Sequence, residues 1–93
     1  MRTIRYTSEF KEDFKREEKA HQKKLRGELD KVIRMLAGDE VLPHRYKDHP
    51  LVDEWQDHRD CHIKPDLVLI YRKPDDTILE LVRLGSHSEL FEP

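Results

Sequence analysis

His49, His62 and His87, together with Asp66 and Arg83, are the residues of this chain best suited to chemistry. Imidazole titrates at about pH 6.5, so it can accept or release a proton under ordinary conditions. A guanidinium is permanently charged, and its planar fork matches a pair of phosphate oxygens. With a carboxylate, these groups supply what acid–base cleavage of an RNA phosphodiester needs, with no metal ion in the scheme. The set is read as a candidate ribonuclease site.

For these residues to meet, the chain must bring them to one surface. Leu67-Val-Leu-Ile-Tyr71 is a continuous apolar run of strand length and is the expected central strand. Pro74-Asp-Asp-Thr77 has turn chemistry, and Ile78 to Leu84 is a second strand, so the pair forms an antiparallel hairpin. The hairpin sets Asp66, at the opening of one strand, beside Arg83 at the end of the other. His87 follows past Gly85, and His62 precedes Asp66 by four residues. By period-2 alternation, Arg83 is expected to end the apolar row of Leu79 and Leu81. His49 stands before Pro50, which disfavours helical backbone and holds it extended in a polar loop between Pro43 and Pro50.

The first half supplies the scaffold. Residues 3–6 read as a short strand, with Ser8 placed to cap the helix that follows. From Glu9 to about Gln22 the chain is mostly charged, anchored by Phe10 and Phe14 four residues apart. Leu25, Leu29, Val32, Ile33, Leu36 and Ala37 share one face of a second helix, and Gly38 is its expected stop. A break near His21–Lys24 makes the two a helical hairpin. The segment from Trp55 to Ile63 alternates weakly as a strand, and Ser86 to Phe91 is a short tail of about one helical turn. The order β-α-α-β-β-β implies an α+β fold, with helices covering one face of an antiparallel sheet.

Composition bounds the reading further. In 93 residues, 35% are hydrophobic and 41% charged, which gives one small domain with a lean core. The net charge of −2 gives no overall basic field, so any nucleic-acid contact must be local. Lys11, Lys15, Lys19 and Lys23 recur every fourth residue, but interleaved acids make them a solvated helix face. His21 and His44 are read as surface residues. Cys61 is the only cysteine, which excludes an internal disulfide and fits a reducing, cytoplasmic setting. No apolar run approaches the length of a membrane span. His58-x-x-Cys61-His62 with His49 offers zinc-type ligands, yet only one irregular group is present, and neighbours on a strand point to opposite faces. Cys61 is therefore expected to be a buried filler.

Four runs follow one another along the chain: Tyr46-Lys-Asp-His-Pro-Leu51, Arg59-Asp-x-His62-x-x-Pro65-Asp66, Leu69-Ile-Tyr71, and Arg83-x-Gly-x-His87-x-x-x-Phe91. Together they resemble the YafQ-type toxins of the RelE/ParE superfamily, from bacterial type II toxin–antitoxin systems. The resemblance covers nearly the whole chain. It implies a small twisted antiparallel sheet with two N-terminal helices, as a single domain over 1–93. It also implies a ribosome-dependent, metal-independent mRNA endonuclease that cuts in the A site of the 70S ribosome. There the 2′-hydroxyl attacks the adjacent phosphate. By matching positions, His49, His62, Asp66 and His87 carry over as the acid–base and positioning set. Arg83 carries over as the group that stabilises phosphate charge, and Phe91 and Lys47 as substrate contacts.

The partners implied are a cognate antitoxin, the ribosome with its mRNA, and DNA only through the toxin–antitoxin complex, with no cofactor and no membrane. The alternative reading keeps the fold as a non-catalytic binding module, directed at gyrase or at an antitoxin. Two features depart from the family pattern: the mildly acidic balance, with Asp53, Glu54, Asp57 and Asp60 near the site, and Leu67 where an aromatic is expected beside Asp66.

Overall fold

The computed structural model describes residues 1–21 and 23–91, apart from the Lys23 side chain. Gln22, in the expected break between the helices, and the Lys23 member of the lysine series lie outside the described residues. The elements are β1 (Thr3–Tyr6), α1 (Ser8–His21), α2 (Lys23–Ala37), β2 (His49–Pro50), β3 (Arg59–Lys64), β4 (Leu67–Arg72), β5 (Ile78–Gly85) and α3 (His87–Phe91). Among the described residues the strands form one five-stranded sheet in the order β1-β5-β4-β3-β2. Strands β2 to β5 are antiparallel, while β1 pairs parallel to β5, with Thr3 opposite Ile78 and Tyr6 opposite Leu81. The α+β architecture is the expected one; the sheet is mixed because the chain returns to its own first strand.

The helices cover one face. Leu25, Leu29, Val32 and Leu36 of α2 and Phe10 of α1 pack on Cys61, Leu69, Tyr71, Leu79, Leu81 and Leu84. A second, smaller cluster occupies the other face, where Leu51, Trp55, Val82, Leu90 and Phe91 surround Val68 and Ile70. This two-sided cover explains why β4 runs apolar from Leu67 to Tyr71 instead of alternating.

Three local details differ from the sequence reading. Thr7, not Ser8, caps α1: its hydroxyl accepts the Phe10 amide at 3.0 Å and donates to the Val82 carbonyl at 2.7 Å. One side chain thus ends a helix and holds a strand. The left-handed residue after α2 is Asp39 (φ 57°), not Gly38. Asp39 tolerates that backbone because its carboxylate accepts from Arg2 at 2.8 Å and Lys73 at 2.7 Å, bonds that hold its pKa down to about 2. The stabilisation is therefore present above the unfolded carboxyl range and is lost as pH falls toward 2. Finally, Arg83 does not continue the Leu79–Leu81 row. The β4–β5 register slips between Ile70 and Tyr71, so Arg83 lies opposite Ile70 and Leu84 returns to the helix-side core. A β-bulge puts consecutive residues on one side, and it moves Arg83 to the face away from the helices.

The loop from 47 to 57 carries three more left-handed residues, Lys47 (φ 50°), Asp53 (φ 58°) and Asp57 (φ 72°). For an L-residue this backbone costs about 1–2 kcal/mol, less for aspartate. Asp57→Gly is expected to raise stability by about 0.5 kcal/mol, and Asp57→Val to lower it by more than 1 kcal/mol, as read by urea denaturation. Equal effects of the two variants would refute this account.

Candidate active site

The face away from the helices is built by cross-strand registry. His49 pairs with Asp60, Asp60 with Ile70, and Ile70 with Arg83, a row that crosses four strands. Two residues along β3, His62 pairs with Val68, which pairs with Gly85. His87 follows at once on α3. Directly opposed residues share a face, so the three histidines project from neighbouring positions over Val68 and Ile70.

Asp60 is at the centre and is the residue that sequence reading missed. It is 1% exposed, and its carboxylate lies under His49, with His49 Nδ1 3.0 Å from Oδ1. That nitrogen is closer still to the Lys47 carbonyl, at 2.8 Å. A carbonyl can only accept, so Nδ1 carries the hydrogen and directs it to Lys47. Neither Asp60 oxygen then receives a hydrogen bond from the described residues. Burial pushes the Asp60 pKa up, against the charges of His49, His62 and His87, which pull it down. In sequence Asp60 stands among Asp53, Glu54 and Asp57 and passes for another surface acid. The available signal is its place two residues before His62, on the same strand face.

The tautomer of His49 has a chemical consequence. With Nδ1–H held by Lys47, the lone pair of the neutral ring is on Nε2 and points away from that carbonyl. The His49 side chain is about half exposed, so a substrate can reach the ring. His87 is exposed at the start of α3, and its ring lies 4.6 Å from that of Phe91. Ser86 and Glu89 form a capping box: the Ser86 amide donates to Glu89 at 2.9 Å and the Glu89 amide to Ser86 Oγ at 3.1 Å. Trp55 meets Phe91 edge-on at 6.2 Å and braces it from the 53–57 side.

The remaining candidates are placed differently. Arg83 is on the correct face, but its guanidinium reaches over the edge of β5 to Asp13 of α1, with Nε 2.7 Å from Oδ2. Asp66 is exposed in the β3–β4 turn and makes no hydrogen bond among the described residues. It lies at the same end of the sheet as His87, because Val68 is opposite Gly85, whereas Arg83 is farther in. Lys47 is exposed at the end of a short 3-10 turn. Leu67 fills the helix-side core, so an aromatic at this position would not add to the open face. Cys61 is buried on that core side and His62 is opposite, and no group of three or more His, Cys, Asp or Glu among the described residues is arranged to hold a metal ion.

His49, expected in a polar loop, lies instead on the edge strand β2 because it pairs with Asp60, and the segment that leads into it is fixed from below. The Tyr71 phenol, buried in the core, donates to Asp48 Oδ1 at 2.6 Å, and Arg59 Nε donates to the same oxygen at 3.3 Å. Burial, and then the Asp48 bond, push the Tyr71 pKa far up, so the phenol remains a donor at any working pH. Tyr71→Phe is expected to cost about 1–2 kcal/mol of stability and to slow RNA cleavage severalfold by freeing the neighbour of His49. Thermal unfolding and a cleavage assay check the two effects; unchanged cleavage would detach this network from the site.

Comparison with known proteins gives these features a family. Residues 2–92 match the YafQ family of bacterial toxins of type II toxin–antitoxin systems. The mRNA interferase toxin YafQ of Escherichia coli BL21-DE3 is 40% identical over 92 residues, covering 98% of this chain and 97% of that protein. The crystal structure of the E. coli DinJ–YafQ complex contains a chain that superposes with a TM-score of 0.85 at 37% identity, covering 98% of this chain and 99% of that one. A metal-bound toxin from Helicobacter pylori is 47% identical with a TM-score of 0.86, covering 98% and 100%. This chain belongs to the YafQ family of type II toxin–antitoxin toxins.

Proposed function

We propose that this toxin is an endoribonuclease that cuts mRNA in the ribosomal A site, by side-chain acid–base chemistry. The observation that carries the reading is the convergence of His49, His62 and His87 around the buried carboxylate of Asp60, which receives no hydrogen bond among the described residues. In the first half of the reaction, Nε2 of His49 takes the proton of a ribose 2′-hydroxyl, with Asp66 assisting from the turn. The 2′-oxygen then bonds to the adjacent phosphorus. In the second half the P–O5′ bond breaks, and His87 gives its proton to the departing 5′-oxygen. The products are a 2′,3′-cyclic phosphate and a 5′-hydroxyl end. His62 lines the site beside Asp60, whose negative charge lies next to the imidazole that takes up the proton. Arg83 neutralises the added charge on the phosphorane, and Phe91, with Lys47, holds the base and backbone.

The relatives named as mRNA interferases, and the complex of YafQ with DinJ, support this reading and a cognate antitoxin as partner. DNA is then met only through that complex, and the working compartment is the cytoplasm. No helix among the described residues is long and apolar enough to cross a membrane. The test is primer extension on a cellular mRNA after brief induction of the wild type and of His87→Ala. Discrete in-frame cuts with the wild type alone are expected. Intact mRNA with continued growth arrest would overturn the nuclease and favour a non-catalytic binding module.

A further inference from the structure

The β1 strand covers the edge of β5 only from Ile78 to Leu81. Beyond that point α1 takes over the edge with its side chains. Asp13 is 3% exposed, and its Oδ2 accepts the Leu84 amide at 3.0 Å. Arg16 Nη2 donates to the Leu84 carbonyl at 3.0 Å. Asp13 therefore has a structural task, but it is occupied by more than that. Its Oδ2 also accepts from Arg83 Nε at 2.7 Å, and its Oδ1 accepts from Arg83 Nη2 at 3.2 Å and from Arg16 Nη1 at 3.1 Å.

The contact with Arg83 is bidentate, one guanidinium edge against both carboxylate oxygens. Such a fork fixes the plane of the guanidinium as well as its position. The other edge, Nη1 with the second hydrogen of Nη2, makes no hydrogen bond among the described residues. Arg83 itself is on the face of Ile70, in the row that runs through Asp60 to His49. A free two-donor edge on a clamped guanidinium is a preorganised anion receptor. Burial works against ionisation of Asp13, but the bond from Arg83, the Leu84 amide and the charges of Arg83 and Arg16 outweigh it and lower its pKa. The clamp is thus charged throughout the neutral range.

We propose that Asp13 is the positioning residue of Arg83, holding its guanidinium so that the free edge meets the non-bridging oxygens of the RNA phosphate. Helix α1, which carries none of the proton-transfer groups, is then part of the active site. The inference rests on the reading of Arg83 as the phosphate-charge group.

A double-mutant cycle tests it, with the purified full chain, programmed ribosomes and single-turnover cleavage at saturating toxin. Asp13→Asn is expected to slow cleavage about tenfold to a hundredfold with little change in the concentration giving half-maximal rate. In an Arg83→Ala background the same substitution is expected to cost nothing further. Equal losses in both backgrounds would show a purely structural role and overturn the proposal, as would a wild-type rate for Asp13→Asn beside an impaired Arg83→Ala. A faster Asp13→Asn would mean that Asp13 restrains Arg83, which also overturns it. A wild-type rate for Arg83→Ala would instead remove the phosphate role of Arg83, leaving the histidine chemistry to the primer-extension test. Circular dichroism monitors the fold. Where Asp13→Asn unfolds, Asp13→Glu keeps the charge, shifts the clamp by one methylene and serves in the same cycle.

Discussion

Asp60→Asn is expected to slow RNA cleavage strongly and, at neutral pH, to make the chain harder to unfold. The two effects have one cause. The carboxylate is buried and receives no hydrogen bond among the described residues. An unsatisfied buried polar group costs about 1–3 kcal/mol, more when charged, and the amide removes the charge at constant shape. A gain of about 1 kcal/mol is expected, with cleavage slowed about a hundredfold or more as the imidazoles lose their counter-charge. The pH dependence has a definite sign. Burial raises the Asp60 pKa in the folded state, so the wild type loses stability as pH rises from the unfolded carboxyl range through the folded pKa. The advantage of Asp60→Asn should therefore be absent in acid, grow across that window and level off above it. Urea denaturation at several pH values, beside a cleavage assay, reads both. A variant less stable than wild type at neutral pH would mean that Asp60 is well paired in the fold, and the account of its raised pKa would fail.

The second large effect concerns the core. Leu81 is fully buried on β5, where β1, β4 and the helices meet. Leu81→Ala is expected to cost about 3 kcal/mol, from lost transfer energy and the cavity left behind. For a small domain this lowers the thermal midpoint by roughly 15 °C. The chain has little reserve to absorb it, since only 35% of its residues are hydrophobic. A partner that binds only the folded form restores about 2.7 kcal/mol at a hundredfold excess over its Kd. The variant should thus be poorly folded alone and recover most of its midpoint when co-purified with the proposed cognate antitoxin. Thermal scans with and without antitoxin check this; a loss under 1 kcal/mol would mean that the core relaxes around the gap.

The elements were legible wherever burial imposes a period. The α2 stripe, the β4 run and the Pro74–Thr77 turn all follow from local pattern, and in the turn Asp75 accepts from the Thr77 amide and hydroxyl at 2.7 and 2.8 Å. What escaped depends on contacts distant in sequence. Parallel pairing of β1 with β5 cannot be read from residues 3–6 alone. The bulge at Val82–Arg83 has no glycine to mark it, so simple alternation put Arg83 on the wrong face. Thr7 replaces Ser8 as the cap because its hydroxyl also has a strand carbonyl to hold. The histidines were found by type, whereas Asp60 was hidden because an acid beside other acids looks solvated until its strand is seen covered on both sides. Asp13 was hidden in the same way, within a helix that reads as uniformly charged.

The junction of β1 with β5 also governs when the toxin can act. Thr3 must wait for Ile78, and Asp13 for Arg83, so both closures span most of the sequence and form late. A nascent chain that has emerged only through β4 already carries His49, Asp60 and His62, but it lacks the strand that closes the sheet, the clamped arginine and His87. On this reading, synthesis completes the proposed site only after the message has been read into the codons for α3, which supplies His87. The delay is written into strand order, and under the proposed A-site activity it spares the very translation event that makes the toxin.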